Sequence, residues 1–382
     1  VRGPATNEGI AVPSPAQLIR QSWGLAEPSA DRVAQYFYAA LFKRNPALRD
    51  LFPPMMTVQR MRLLRALVRI VQVVDQPDRL GAFLHDLGRD HRKFDVKPEH
   101  YDDLGAALIY SLKLHLRDEW APDTEQAWLD AFAVIKREMV RAAEEADALG
   151  PPRYEGTVVD VTRPGPGLAI VRVRPEPPLA YLPGQYVSVE TPRRPRMWRA
   201  MSMANPPTEG SELEFHVKTV PGGWVSGSIV TETEAGDVWR IGPPIGLLGL
   251  VAHSERDLLL IGGGVGIAPL LSIMPELERR SSSIKLSLFH GVRHADELYL
   301  NGALDKLCSR DPNLDVLKVV SREPGYDGLR GSLPDVVAQY RDWSAHDVVV
   351  SGSPSLIQAT VRTLSSHGVP LSHIYYDSYS ID

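Results

Sequence analysis

The sequence predicts three successive folds in one chain: an all-α unit, an antiparallel β-barrel and a doubly wound α/β unit. Three observations predict it. From about residue 15 to 148 apolar residues recur at helical spacing. The breaker cluster Leu149-Gly150-Pro151-Pro152-Arg153 ends that pattern, and β-branched runs such as Thr157–Val161 and Leu168–Val173 then alternate with Pro/Gly turns. Beyond about residue 257, apolar runs at Asp257–Ile261, Ile284–Phe289, Val316–Val320 and Asp347–Val350 are separated by segments long enough for crossover helices, the rhythm of a parallel sheet. A chain of 382 residues is long enough for two or three domains. The expected division is a disordered tail over 1–14, a helical domain over 15–148, a barrel over 152–252 and an α/β domain over 253–382.

In the helical part, Tyr38 falls on the apolar face of a helix around 31–43. Thr57 is expected to cap a helix whose apolar face carries Leu63, Leu64, Leu67, Ile70, Val71 and Val74. Over 83–93 a short helix puts Leu84, Leu87 and His91 on one stripe, which places an imidazole among core residues. Pro98 suits the first turn of the next helix, with Tyr101, Leu104 and Leu108 on one face. Asp123 and Gln126 have capping-box spacing before the helix of Trp128, Phe132, Ile135 and Met139. Singly these residues are ordinary: a core histidine finds hydrogen-bond partners, and Tyr38 and Tyr101 are buried tyrosines. Gln59 alone reads as a surface residue.

The last part opens with a stronger signal. Leu258–Ile261 runs into Gly262-Gly263-Gly264-Val265-Gly266-Ile267-Ala268-Pro269. A strand, a side-chain-free turn and a helix start together form a phosphate site, because backbone N–H groups and the helix dipole both favour an anion.

Composition narrows the function. Hydrophobic content of 43% and charged content of 23% suit a soluble globular protein. No apolar run approaches the roughly 20 residues of a bilayer span, and no secretory signal opens the chain, so a cytoplasmic location is expected. A net charge of −5 with mixed signs gives no footprint for nucleic acid. The single cysteine, Cys308, excludes an internal disulfide and metal clusters built on several thiolates.

The run Asp90-His91-Arg92-Lys93-Phe94-Asp95-Val96-Lys97-Pro98-Glu99-His100-Tyr101 resembles the proximal haem segment of flavohaemoglobins, in which a histidine is followed ten residues on by a Lys-Pro-Glu-x-Tyr tyrosine. Tyr36-Phe37-Tyr38, Asn45-Pro46-Ala47-Leu48 and Leu51-Phe52 are similar to that family's distal half. The resemblance implies a globin fold and haem b. His91 would be its axial iron ligand, Phe52 an aromatic wedge, Tyr38 and Gln59 a distal hydrogen-bonding pair, Leu63 their apolar neighbour and Tyr101 a proximal partner. There are two departures: Val140 stands where the family places a glutamate that hydrogen-bonds the histidine, and Asp90 replaces a usual lysine. Glu138, two residues away, would need helix rotation to substitute.

Downstream, Pro183-Gly184-Gln185-Tyr186, Arg199-Ala200-Met201-Ser202, His216-Val217-Lys218 and Gly222-Gly223-Trp224-Val225-Ser226 resemble the FAD domain of the ferredoxin-reductase superfamily. The resemblance implies that Arg199, Gly223 and Ser226 hold the FAD pyrophosphate, and that Ser202 lies near the flavin N5. Met201 replaces the family's stacking tyrosine. The glycine-rich turn, His290-Gly291-Val292-Arg293 and Asp296-Glu297-Leu298-Tyr299 look like the same superfamily's pyridine-nucleotide domain. Ser321 and Arg322 match a pair that grips the 2′-phosphate in NADP-using relatives, which leaves NADH and NADPH both open. Ser351-Gly352-Ser353-Pro354 resembles a strand end near the nicotinamide, with serine for cysteine. Asp377 and Tyr379 resemble the tail against the flavin. The activity implied is nitric oxide dioxygenation: NAD(P)H reduces FAD, FAD reduces haem, and NO and O2 leave as nitrate. An NAD(P)H oxidase or flavin dehydrogenase with haem as relay is the alternative enzyme, and a haem gas sensor the non-enzymatic one. The implied partners are O2, NO and NAD(P)H, in a monomer or weak dimer.

Overall fold

The computed structural model describes residues 13–207, 212–246, 248–280 and 284–377. Residues 1–12 of the expected tail and Tyr379 lie outside the described residues. Ser14, expected in the tail, instead caps the first helix, in a capping box where its Oγ accepts from Gln17 N (3.3 Å) and Gln17 Oε1 accepts from Ser14 N (2.7 Å). Contacts divide the chain between Pro152 and Arg153.

The first unit is helical: α1 (Pro15–Ala26), α2 (Ala30–Arg44), α3 (Met56–Val73), α4 (Pro77–His91), α5 (His100–Leu116) and α6 (Pro122–Asp147). Trp23, Phe37, Leu41, Leu112 and Trp128 bury the main core, and Trp128 Nε1 donates to Ser22 Oγ at 2.9 Å. A second cluster, Leu84, Tyr101, Ile135 and Met139, lies among α4, α5 and α6. There α4 touches α6 backbone to backbone, since a Cβ on Gly88 would come within 2.4 Å of the Met139 carbonyl oxygen.

Three helix starts differ from expectation. Thr57 does not cap α3: Pro53-Pro54 hold the chain extended, and the helix begins once past them, with Met55 at the cap. Asp123 does not cap α6, because Pro122 takes the first helical position with φ already set, which leaves Asp123 as a favourable first-turn acid. Pro98 lies in the turn before α5, which starts at His100. The helix expected over 83–93 reaches back to Pro77.

The second unit holds two six-stranded sheets. The first comprises β1 (Tyr154–Gly165), β2 (Leu168–Glu176), β3 (Tyr186–Glu190), β4 (Arg199–Ser202), β5 (Leu213–Lys218) and β6 (Val238–Ile241), with α7 (Trp224–Glu232) between the last two. It is antiparallel, in the order β4-β3-β6-β1-β2-β5. Its edges meet just past β4, where Ala204 N donates to the Glu214 carbonyl (2.8 Å) and Asn205 Nδ2 to that of Glu212 (2.7 Å). Val171, Val187, Phe215 and Trp239 fill the inside.

The second sheet is parallel and follows as β7 (Leu258–Gly263), α8 (Ala268–Arg280), β8 (Leu286–Val292), α9 (Asn301–Arg310), β9 (Leu314–Val320), β10 (Leu329–Arg330), α10 (Leu333–Tyr340), β11 (Asp347–Ser351), α11 (Pro354–Ser366) and β12 (Ile374–Tyr375). The order is β10-β9-β8-β7-β11-β12. The order reverses beside β7, so the glycine-rich turn at its carboxyl end sits at the switch point where such sheets bind ligands. Two separate core clusters bury opposite faces of this sheet, one with Leu258, Leu260 and Leu288, the other with Leu259, Ile261 and Phe289. Alternation along strands buried on both faces explains the continuous apolar runs.

Candidate functional site

In the helical unit His91 is the last residue of α4. Its Nδ1 lies 2.8 Å from the Leu87 carbonyl oxygen, which can only accept, so Nδ1 carries the proton. Nε2 is then left with a lone pair, the form that binds a metal. Burial lowers the His91 pKa, and Asp90 only partly opposes this. The Phe94 ring packs edge-on against the imidazole, 5.6 Å between centroids. Behind it, the buried Lys93 ammonium pairs with Asp90 and stands 4.9 Å from the Phe94 centroid.

Tyr38 lies on the buried face of α2, with Phe52 (5.4 Å) and Phe37 (4.9 Å) edge-on to its ring. Burial pushes its phenol up to about 12. Hydrogen bonding with Gln59 partly opposes that shift. Leu63 packs half-buried against the same core. The structure thus brings Tyr38, Gln59 and Phe52 together. Tyr101 is different: burial also raises it to about 12, yet it sits in the apolar α4–α6 cluster without a hydrogen bond among the described residues. Val140 packs at the rim of that cluster, and Glu138 pairs with Arg137 (3.1 Å) and Arg141 (2.6 Å). Among the described residues, the hydrogen-bond partner of the His91 ring is therefore a backbone carbonyl.

In the second unit β3 and β4 pair in register, Tyr186 opposite Ser202, Val187 opposite Met201, Ser188 opposite Ala200 and Val189 opposite Arg199. Met201 packs half-buried against the sheet core, and Arg199 Nη1 donates to the Trp198 carbonyl at 2.8 Å. Asp377 is buried beside Tyr186 and Gly246. After β5 the chain turns through Gly222 (φ 72°) into α7. A Cβ on Gly223 would lie 2.7 Å from Ser226 Oγ and 2.9 Å from the Val220 carbonyl oxygen. Ser226 Oγ accepts from Val220 N at 3.1 Å. The turn is thus closed by backbone and a hydroxyl, with the N-terminus of α7 directly behind it.

The glycine-rich turn is built as tightly. A Cβ on Gly266 would be 2.5 Å from Gly352 Cα, and one on Gly263 would be 2.1 Å from Leu356, so this turn lies directly on the Ser351-Gly352 strand end. Gly264, at φ 57°, opens onto free space. Ile267 and Ala268 are buried beneath the turn, and Pro269 continues into α8. Ser321 Oγ donates to the Val292 carbonyl (3.2 Å), and the exposed Arg322 donates its N–H to the Arg293 carbonyl (2.8 Å).

The two sheets are joined by contacts the sequence did not reveal. His216 Nε2 lies 3.0 Å from Glu214 Oε1 and its Nδ1 2.8 Å from the Tyr299 hydroxyl. Arg172 Nε donates to the same Glu214 at 2.9 Å, and Lys218 pairs with Glu297 at 2.6 Å. Hydrogen bonds from His216 and then Arg172 hold the Glu214 carboxyl below its ordinary range against the cost of burial. Val217, between His216 and Lys218 in the chain, is buried in the barrel core. A cavity of about 170 Å³ lies alongside, lined by Lys218, Gly264, Val265, Glu297 and Tyr299 among others.

Known families match in the same order as these parts: a globin over residues 35–139, an oxidoreductase FAD-binding domain over 168–249 and an oxidoreductase NAD-binding domain over 260–362. A flavohemoprotein of Bordetella pertussis is 26% identical over 96% of this chain and 98% of its own. The chain belongs to the flavohaemoprotein family. Its reductase half is also related to the ferredoxin–NAD(P)+ reductase component of the naphthalene 1,2-dioxygenase/salicylate 5-hydroxylase systems of a Ralstonia species, 31% identical over 69% of this chain and 83% of that one. The fold matches a flavohemoglobin from Malassezia yamatoensis, solved with FAD and haem, at a TM-score of 0.77, with 20% identity and coverage of 94% and 98%.

As a flavohaemoprotein the chain is an NAD(P)H-dependent oxidoreductase with globin, FAD-binding and NAD-binding domains. Its residues fit the groups those domains take. A neutral imidazole with a free Nε2 in an apolar bundle suits haem iron. The Gly223 turn, where a Cβ would intrude, and the guanidinium of Arg199 on β4 are groups that suit a pyrophosphate. The open Gly264 face ahead of α8 suits a second one. Among the described residues no helix is long and apolar enough to cross a membrane.

Proposed function

We propose that the chain is a nitric oxide dioxygenase that draws electrons from NADH or NADPH and converts NO and O2 to nitrate. The observation that carries this reading is the pairing of Tyr38 with Gln59 in the same chain as a complete reductase. Haem would supply the gas site and one-electron chemistry, and FAD would turn a two-electron hydride into single electrons.

The chain's own residues do the rest. His91 offers Nε2 to the iron while Leu87 fixes its tautomer. Tyr38, with Gln59 beside it, would offer its phenol O–H to a gas that gains partial negative charge. At about 12, that phenol keeps its proton throughout the physiological range. Phe52 and Leu63 keep the surroundings apolar, so each donor acts in a low dielectric. Arg199, Gly223 and Ser226 hold the FAD pyrophosphate, with Tyr186, Ala200, Met201, Ser202, His216, Val217 and Lys218 along the same two sheet edges. Gly264, Val265, Gly266, Ile267, Ala268 and Pro269 receive the dinucleotide phosphates, with Ser351 and Gly352 beneath them. Asp377 closes on the Tyr186 side.

The test is NO consumption in air by protein loaded with haem and FAD, with and without NADH, with nitrate assayed. NADH-dependent loss of NO, with nitrate matching the electrons supplied, is expected. Flavin that NADH reduces without NO loss would overturn it. That outcome would favour the second reading, an NAD(P)H oxidase or flavin dehydrogenase with haem as relay, for which the apolar Val140 speaks.

A further inference from the structure

We propose that His290 is a positioning residue for the pyridine nucleotide: it sets the direction of the peptide that meets the dinucleotide phosphate. This rests on the reading of the glycine-rich turn as the dinucleotide site. His290 lies on β8 opposite Gly262 of β7 and is fully buried. Its Nε2 is 3.1 Å from the Gly264 carbonyl oxygen. A carbonyl only accepts, so Nε2 carries the proton. The other ring nitrogen, Nδ1, is buried with no hydrogen-bond partner among the described residues. The ring therefore spends one hydrogen bond, and it spends it on this turn.

That bond fixes a direction. In a planar trans peptide the C=O and the following N–H point opposite ways. With the Gly264 carbonyl drawn in toward His290, the Val265 N–H is turned to the side away from that ring. A flipped peptide would present a carbonyl oxygen there and repel a phosphate. A flip would also drive the β-branched Val265 to positive φ, so the turn itself disfavours it. The His290 bond adds to that preference and pins the carbonyl in place.

The ring is itself held. Tyr299 stands edge-on to His290, 6.3 Å between centroids, and its hydroxyl is 2.8 Å from His216 Nδ1. Gly264, Val265 and Tyr299 line one cavity. Burial lowers the His290 pKa to about 4, so the ring stays neutral where the enzyme works.

The first measurement needs no variant. Long-range ¹H–¹⁵N spectra of the full-length holoprotein, without dinucleotide, are expected to show one histidine as a pure Nε2–H tautomer from pH 6 to 8, and to lose that signal in His290→Gln. A His290 signal of the Nδ1–H type would overturn the inference, whatever the reductant proves to be. The second measurement uses NADH-dependent ferricyanide reduction and calorimetric binding of ADP. His290→Phe keeps the ring volume and removes the donor. It should raise KM for NADH and Kd for ADP about tenfold with kcat within twofold. His290→Gln restores an Nε2–H donor and should recover most of that loss. KM unchanged in His290→Phe, or no recovery in a folded, flavin-loaded His290→Gln, would overturn it.

Discussion

Two histidines, one in each unit, are held in opposite ways. His91 has a backbone carbonyl on Nδ1 and apolar neighbours around it. His216 lies between a carboxylate and a phenol, with Arg172 behind the carboxylate. A carboxylate partner makes an imidazole more basic and a stronger electron donor, whereas a carbonyl mainly fixes its tautomer. As the proposed iron ligand, His91 would thus be neutral and weakly activated, whereas the reductase unit places its charged hydrogen bonds where its two sheets join. Tuning and connection are separate tasks here, assigned to separate units.

The sharpest way to break that contrast is to remove the weaker-held ring. His91→Ala deletes the proposed iron ligand at the end of α4. The Soret band should be lost while the flavin spectrum remains. A full haem complement in His91→Ala would mean that another residue ligates iron. In the other unit, burial at His290 predicts a large acid effect. Its folded pKa, about 4, lies below the ordinary 6.5. The stabilisation is thus fully present above pH 6.5 and is lost as pH falls toward 4, by about 3 kcal/mol for a shift of that size. Chemical denaturation across this window should show the loss in the wild type and a flatter profile in His290→Gln. Equal slopes would remove His290 from the account.

Tyr38→Phe tests the distal side. Losing one hydrogen bond to a charged acceptor costs about 1.5–3 kcal/mol, so O2 dissociation should quicken roughly 10- to 100-fold. Flash photolysis measures it directly, and an unchanged rate would take Tyr38 out of the gas site.

The sequence foretold those sites unevenly. Period and glycine placement are local properties, so the change of period near Pro152 and the turn after β7 could be read from neighbouring residues. Helix starts could not, because Thr57 and Asp123 compete with prolines that already set φ, and steric preorganisation prevailed over side-chain capping. The join between the sheets was hidden for another reason. His216 and Tyr299 are 83 positions apart, and no spacing rule reaches that far. Tyr101 shows the converse: its place in the sequence implies a proximal polar role, yet it sits in an apolar cluster rimmed by Val140, without a hydrogen bond among the described residues.

The smallest predicted effect tests the join itself. Glu214 is held below its ordinary range by His216 first and Arg172 second. A carboxyl depressed in the folded state stabilises above its unfolded pKa, and that contribution fades as pH falls through the folded value. Glu214→Gln keeps the shape and an acceptor oxygen but removes the charge. It should lower stability near pH 7 by about 1 kcal/mol, the scale of a partly exposed charged hydrogen bond. The difference from wild type should close only as pH falls through the depressed folded value, below the ordinary carboxylate range. Because Tyr299 stands edge-on to His290, the same change should also loosen the turn slightly and raise KM for NADH less than His290→Phe does. If Glu214→Gln weakens NADH binding more than His290→Phe, the control runs from β5 inward, and His290 follows Tyr299 instead of directing the turn.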